Sequence, residues 1–233
     1  MMKERGPQMN IALILAAGKG TRMGAPVPKQ FIEYKEKPIL IYTLEAFAKH
    51  PEIDEICVIC PNDSIDFTKK MINEYQIPKI SWICAGGSTR RESSKIGVSK
   101  LMETHEKDDI VLIHDGARPN PSARIITENI AVAKEKGACE TVVPSSDTIA
   151  VSVDGARLHR VPNREVLYNV QTPQSFRLGL IHQAHFACED CGATDDAALI
   201  LRSGGEVFLV EGDKLNIKIT TEEDLRILYS IME

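Results

Sequence analysis

The first residues that could do chemistry are glycines behind an apolar run: Ile11–Ala16 leads directly into Leu15-Ala-Ala-Gly-Lys-Gly-Thr-Arg-Met-Gly24. Glycines at the end of a strand let backbone N–H groups approach a phosphate without side-chain interference. Two familiar phosphate loops do not fit. A Walker loop requires Lys and Ser or Thr after its last glycine, and here Ala25-Pro26 follows Gly24. In a dinucleotide fingerprint the third glycine would come one place earlier, and Pro26 and Pro28 remove backbone donors where the helix should start. What remains is an extended glycine loop carrying two cations, Arg22 and Lys29, an arrangement suited to an extended triphosphate. The bland alternative is a tight turn with incidental surface cations.

Such a loop needs a rigid frame, and the chain supplies the pattern for one. Short β-rich runs are expected at Ile11–Ala16, Glu55–Cys60, Ile80–Cys84, Ile110–His114, Glu140–Val143 and Val207–Val210. Helix patterns fall between them near Ile39–Lys49, Asp63–Tyr75, Arg91–Met102 and Ala123–Lys136. This alternation predicts an α/β fold, a mostly parallel Rossmann-like sheet flanked by helices in one domain over 1–233. Ligands of such sheets bind beyond the carboxyl ends of the strands. Asp115, which follows the apolar strand Asp109–Ile113, then stands where an oxygen ligand for magnesium would be wanted, or caps the next turn. Residues 145–174 break the rhythm. Extended runs flank Asp154-Gly155, which predicts a hairpin arm projecting from the body. Arms of this kind commonly serve dimerisation, and a solvated loop is the plainer reading.

Composition narrows the partners. A net charge of −5 argues against nucleic acid, whose binders carry a basic surplus. No apolar run is long enough to span a membrane, and the charged start lacks a signal-peptide core, so a cytoplasmic protein is expected. The six cysteines include two C-x-x-C pairs, Cys57/Cys60 and Cys188/Cys191. Cys57 and Cys60 lie in one strand, where residues three apart face opposite sides and cannot share a metal. They read as buried thiols in a reducing compartment.

Taken together, the motifs are specific. Ala16-Ala-Gly-x-Gly-x-Arg-Met23 with Pro28-Lys-Gln-Phe31 resembles the signature of cytidylyltransferases acting on 2-C-methyl-D-erythritol 4-phosphate, and is similar to the related ribitol-5-phosphate enzymes. The likeness continues through Gly86-Gly-Ser-Thr-Arg-Arg-Glu-Ser93, His114-Asp-Gly-Ala-Arg-Pro119, Gln171-Thr-Pro-Gln174, Ala193-Thr-Asp-Asp196 and Asn216-Ile-Lys-Ile-Thr220. It implies attack by an acceptor phosphate on the α-phosphorus of CTP with departure of magnesium pyrophosphate, and a homodimer joined through the arm. A phosphate monoester is already largely deprotonated at neutral pH, so no general base is needed. Alignment and charge stabilisation carry the reaction. CTP, the acceptor and one Mg²⁺ leave roughly four negative charges to be balanced by protein cations.

The resemblance nominates four such cations: Arg22 and Lys29 at the triphosphate, Arg164 and Lys218 at the acceptor phosphate. Read without it, the last two are ordinary surface cations. It further implies nucleotide contacts from Ala16, Ala17, Gly18 and Gly20, a cytosine and ribose pocket at Gly86, Gly87, Arg90 and Ser93, and Asp115 on both nucleotide and Mg²⁺. Ser93 could instead stabilise only its helix. Thr148 matches a position that touches the acceptor, and with Arg164 could serve the neighbouring subunit's site. His114 reads as a strand-end histidine bonding its own loop, and Asp195 and Asp196 as caps of a helix starting near Ala197.

The acceptor is less sharply written. Many methylerythritol-phosphate enzymes place a lysine soon after the Asp-Thr pair, whereas Asp147-Thr148 is followed by Ile149-Ala150. The run Val161–Tyr168 also resembles the ribitol branch, while the blocks at 114–118 and 193–197 resemble the methylerythritol branch. Methylerythritol phosphate is the expected polyol phosphate and ribitol phosphate the alternative. A sugar-phosphate nucleotidyltransferase using UTP or GTP, or a non-catalytic nucleotide binder, are the remaining readings.

Overall fold

The structure is a computed structural model and describes residues 6–18, 28–187 and 192–231. Gly20, Arg22, Cys188 and Cys191 fall outside these, and the Lys29 side chain is likewise not described. Among the described residues, nine strands and seven α-helices follow one another along the chain. They are β1 (Asn10–Leu15), β2 (Glu33–Tyr34), β3 (Lys37–Pro38), α1 (Ile39–Lys49), β4 (Glu55–Cys60), α2 (Ile65–Glu74), β5 (Ile80–Ala85), α3 (Arg90–Met102), β6 (Ile110–Asp115), α4 (Ala123–Lys136), β7 (Ala138–Pro144), β8 (Tyr168–Arg177), α5 (Leu178–Ala187), α6 (Asp196–Arg202), β9 (Phe208–Glu211) and α7 (Glu222–Ile231).

Seven strands form one sheet in the order β5-β4-β1-β6-β8-β7-β9, and β2 pairs with β3 in a separate hairpin. Within the large sheet β8 alone runs against its neighbours β6 and β7; the remaining pairs are parallel. All six residues of β1 and of β6 are buried, which suits parallel strands covered on both faces. The period of two sorts the core into two layers. Ala12, Ile14, Ile56, Val58 and Leu112 pack with Leu44 and Phe47 of α1 and Ile126 and Ile130 of α4. Ile11, Leu13, Cys57, Ile59 and Ile113 pack with Val98 and Leu101 of α3, Ile181 of α5 and Leu199 of α6. Each such aliphatic side chain, fully buried, contributes about 1.5–3 kcal/mol. On the second face α3 comes so close that a Cβ on Gly97 would lie 2.7 Å from Leu13. Cys57 lies in this second layer, whereas Cys60 reaches Thr68 of α2 on the first, so the two thiols do point apart.

The expectation for 145–174 needs correcting. Its end, Tyr168–Gln174, belongs to β8 in the body of the sheet, and the projecting segment is 145–167. β8 does not read as a strand because its buried stretch is polar and contains Pro173. Its side chains are satisfied individually: Gln171 donates to Asp213 O, Gln174 to Glu140 and Ser175 to Asn129. The expected hairpin turn is present in reduced form, one antiparallel bridge between Val151 and Arg160 around Gly155 at φ 72°.

Candidate active site at the carboxyl ends of the sheet

The order in which strands are added switches sides at β1: the next sheet strands, β4 and β5, lie on one side, and β6 lies on the other. That switch opens a crevice beyond the strand ends. The register brings Leu15, last in β1, beside Asp115, last in β6. Ala16 N donates to Ile59 O, Gly86 N to Cys60 O and Gly116 N to Leu15 O, which draws four loops together. The cavity they enclose has a volume of about 550 Å³. Its walls include Leu15–Gly18, Gln30, Gly87–Arg90, Ser93, Asp115, Ala117 and Lys218. A side cavity of about 320 Å³ shares Ala17 and Gly87 with it and extends to Gly86 and residues 61–63. A larger cavity of about 890 Å³ opens near Met9, Glu55 and Asp109. That is the amino end of the strands, opposite the glycine loop, so size alone would select the wrong face.

The walls are built with little freedom. Ser93 Oγ donates to Thr89 O and accepts from Gly87 N, while Thr89 caps α3 by accepting from Glu92 N. A Cβ on Gly86 would lie 2.5 Å from Ala17 Cβ and 2.7 Å from Ser93 Oγ. Ser93 thus stabilises its helix and the glycine turn together. Gln30, which sequence reasoning passed over within Pro28-Lys-Gln-Phe31, is buried and donates to Ala16 O at 2.6 Å. The His114 ring is fully buried. Nε2 meets Arg118 O at 3.0 Å, so it carries the proton, and Nδ1 accepts from Thr172 Oγ at 3.1 Å. Burial pushes its pKa down to about 4. It is a neutral clip for residues 115–118, as the sequence suggested, and not a base.

Asp115 is the electrostatic centre. Lys218 Nζ lies 2.7 Å from Oδ2, Arg90 Nε 3.3 Å from Oδ1 and Arg118 Nε 3.7 Å from Oδ2. Burial alone would raise its pKa, but Arg90, Lys218 and Arg118 outweigh burial and hold the carboxyl well below the usual range. Lys218 is delivered by a strap: Ile219 N donates to Ala117 O, and Arg118 Nη1 donates to Asn216 O. Arg118 was missed by sequence reasoning, although it ends His114-Asp-Gly-Ala-Arg118 and a buried arginine needs an anion.

The expected caps divide. Asp195 caps α6 by accepting from Ala198 N, but Asp196 is buried and ion-paired with Arg90 at 2.7 Å. Thr148 and Arg164 are not brought to the cavity in a single chain. Both are exposed on the projecting segment, where Arg164 donates to Ser146 O.

The 2-C-methyl-D-erythritol 4-phosphate cytidylyltransferase family profile matches residues 10–233. The chain belongs to this family. A relative of that name from Syntrophotalea carbinolica is 41% identical over 224 residues, covering 95% of each chain. One from Clostridium perfringens is 44% identical over 218 residues, covering 92% of this chain and 95% of the relative. The crystal structure of 4-diphosphocytidyl-2C-methyl-D-erythritol synthase from Anaerococcus prevotii superposes with a TM-score of 0.83 at 32% identity, covering 97% and 96% of the chains. The crevice described above is therefore that of a nucleotidyltransferase family, and the α/β fold expected from the sequence is the family's fold.

Proposed function

We propose that this chain transfers the cytidylyl group of CTP to 2-C-methyl-D-erythritol 4-phosphate, releasing pyrophosphate, a step of isoprenoid precursor synthesis. Family membership over nearly the full chain supports the reading, and the observation that carries it is the cavity where Lys218 and Asp115 face the glycine loop at 2.7 Å from each other. The ribitol alternative is not favoured by relatives named for the methylerythritol substrate.

The residues suit an in-line displacement that needs no base. The backbone at Ala16–Gly18, with Gly20, Arg22 and Lys29 of the same motifs, would cradle the triphosphate. Gly86, Gly87 and Ser93 would form the base and ribose wall, with Arg90 beside them. Lys218 and Arg164 would hold the acceptor phosphate, whose oxygen is already ionised at neutral pH. A magnesium ion fits the donor set. Among the described residues no cluster of three or more His, Cys, Asp or Glu could hold a metal unaided, and Mg²⁺ is commonly held by one or two carboxylates together with substrate phosphates. Asp115 would be the protein ligand, and the bound ion would neutralise charge on the departing pyrophosphate. Lys218, now 2.7 Å from Asp115, would be free to reach the acceptor phosphate once that carboxylate had another partner.

The arm supports a homodimer. Ile149, Val153, Leu158, Val161 and Val166 are exposed on it, Val153 at 82%, and apolar side chains gathered on one exposed segment suit an interaction surface. A second copy covering this face would bring Thr148 and Arg164 to its own crevice. The free thiols fit a reducing cytoplasm, with burial pushing Cys139 up to about 12. Among the described residues no helix is long and apolar enough to cross a membrane.

Pyrophosphate release should be followed with CTP and Mg²⁺, offering methylerythritol phosphate and ribitol phosphate in parallel. Turnover of the former alone is expected. Turnover of ribitol phosphate alone, or preference for UTP or GTP, would overturn the assignment.

A further inference from the structure

Arg90 is held between two carboxylates with different roles. Its Nε faces Asp115, an anion already shared with Lys218 and Arg118, at 3.3 Å. Its Nη1 donates to Asp196 Oδ2 at 2.7 Å. Asp196 is 1% exposed and pairs with no other arginine or lysine among the described residues. The pocket around it is fixed from three sides. Ser94 Oγ donates to Oδ1 at 2.5 Å, and His185 Nε2 lies 3.4 Å from the same oxygen. The Asp196 backbone N–H donates to Gln174 Oε1. Arg90 Nη2 has no hydrogen-bond partner among the described residues, and Arg90 lines the nucleotide cavity.

We infer that Asp196, braced by Ser94 and His185, is a positioning residue that anchors Arg90 on the cavity wall independently of Asp115, so that Arg90 remains presented to the nucleotide when Asp115 is engaged elsewhere. An arginine tied to Asp115 alone would be freed by the same event that loads the site. A long side chain released in this way must be reordered for each nucleotide, which weakens binding. With Asp196 in place the guanidinium is pre-organised by a buried, charge-assisted hydrogen bond. Asp196 therefore acts through Arg90 and touches no substrate itself. This inference rests on the crevice being the CTP site.

Titration calorimetry of CTP with Mg²⁺ on Asp196→Asn, Arg90→Gln and the double variant, beside melting temperatures, tests it. In Asp196→Asn, CTP Kd is expected to rise about tenfold, with the acceptor KM changed less than about twofold. Adding Asp196→Asn to Arg90→Gln should weaken CTP by no more than about a further twofold, because the partner it acts through is gone. Ser94→Ala, which keeps the charge and removes one brace, should move Kd the same way by about two- to threefold, and it carries the test if Asp196→Asn does not fold. A CTP Kd unchanged in both Asp196→Asn and Ser94→Ala while stability falls, or effects that multiply in the double variant, would reduce Asp196 to a structural tie and overturn the inference. Wild-type protein that binds no CTP would overturn it together with the functional reading. Wild-type protein that binds CTP without transferring it sinks only the latter, and Asp196 is then judged on Kd.

Discussion

The crevice and the arm treat exposed chemistry in opposite ways. At the β1/β6 crevice the described charged groups are paired within the chain: Asp115 with three cations, Asp196 with Arg90. On the arm, apolar side chains face water, Arg157 pairs locally with Asp154, and among the described residues the Arg164 side chain bonds a backbone carbonyl alone. A region whose groups are satisfied internally keeps its shape in one chain and is opened only by a ligand that displaces a partner. A region whose groups are left unsatisfied is complete only against another surface. The two cations proposed for the acceptor phosphate are divided between these regions, Lys218 in the crevice and Arg164 on the arm.

The sharpest way to break the comparison is from the crevice side. Lys218→Ala should lower kcat by about 10²–10³-fold, the scale of losing one charge-stabilising contact to the reacting groups. Asp115 would still have Arg90 and Arg118, so the melting temperature should hold. A variant that melts early and keeps its kcat would make Lys218 a structural tie. Gly86→Ala comes next. Its Cβ would press on Ala17 and Ser93, and KM for CTP is expected to rise about tenfold. The matching change on the arm, Gly155→Ala, meets no atom within 4 Å, but φ of 72° is unfavourable for alanine. It should cost about 1 kcal/mol of local stability and leave CTP binding alone. Equal effects of the two alanines on KM would erase the distinction between the regions.

The smallest effect is electrostatic and lies behind the crevice. Burial and then Asp195 raise the Glu140 carboxyl to about 7, against the help of Gln174. A carboxyl with a raised folded pKa contributes fully below its unfolded pKa, and the contribution is lost as pH rises through the folded value. Between pH 5 and pH 8 the wild type should therefore lose stability that Glu140→Gln keeps. Discounting for partial solvent access to about 1 kcal/mol, the variant should melt about 2–4 °C higher than wild type at pH 8, and the gap should narrow toward pH 5. A gap that is constant across this range would contradict the assignment.

The frame was legible because burial on both faces of a parallel sheet writes apolar runs: β4 at Glu55–Cys60 and the helices Ile39–Lys49 and Ala123–Lys136 fall where the pattern put them. β8 was not legible. Its interior is Gln, Thr, Pro, Gln and Ser, and it is held by partners far apart in sequence that no local pattern announces. The site shows the same division. Asp115 ends β6, the glycines follow strand ends and Ser93 sits in the first turns of α3, so their place follows from the sheet. Arg118 and Gln30 were overlooked although their motifs were noticed, since the roles depend on a strap and a carbonyl contributed by other segments. Asp195 and Asp196 are adjacent and alike in sequence, yet one caps a helix and its neighbour pairs with Arg90 across the fold.

The proposed division of the site between two chains is tested most directly by mixing inactive subunits. Arg164→Ala and Lys218→Ala proteins, each purified and then unfolded and refolded together in equal amounts, should recover about a quarter of wild-type turnover, because half the dimers are mixed and each holds one intact site. Recovery no greater than the sum of the two variants assayed alone would place both cations in the same chain's site and contradict the account.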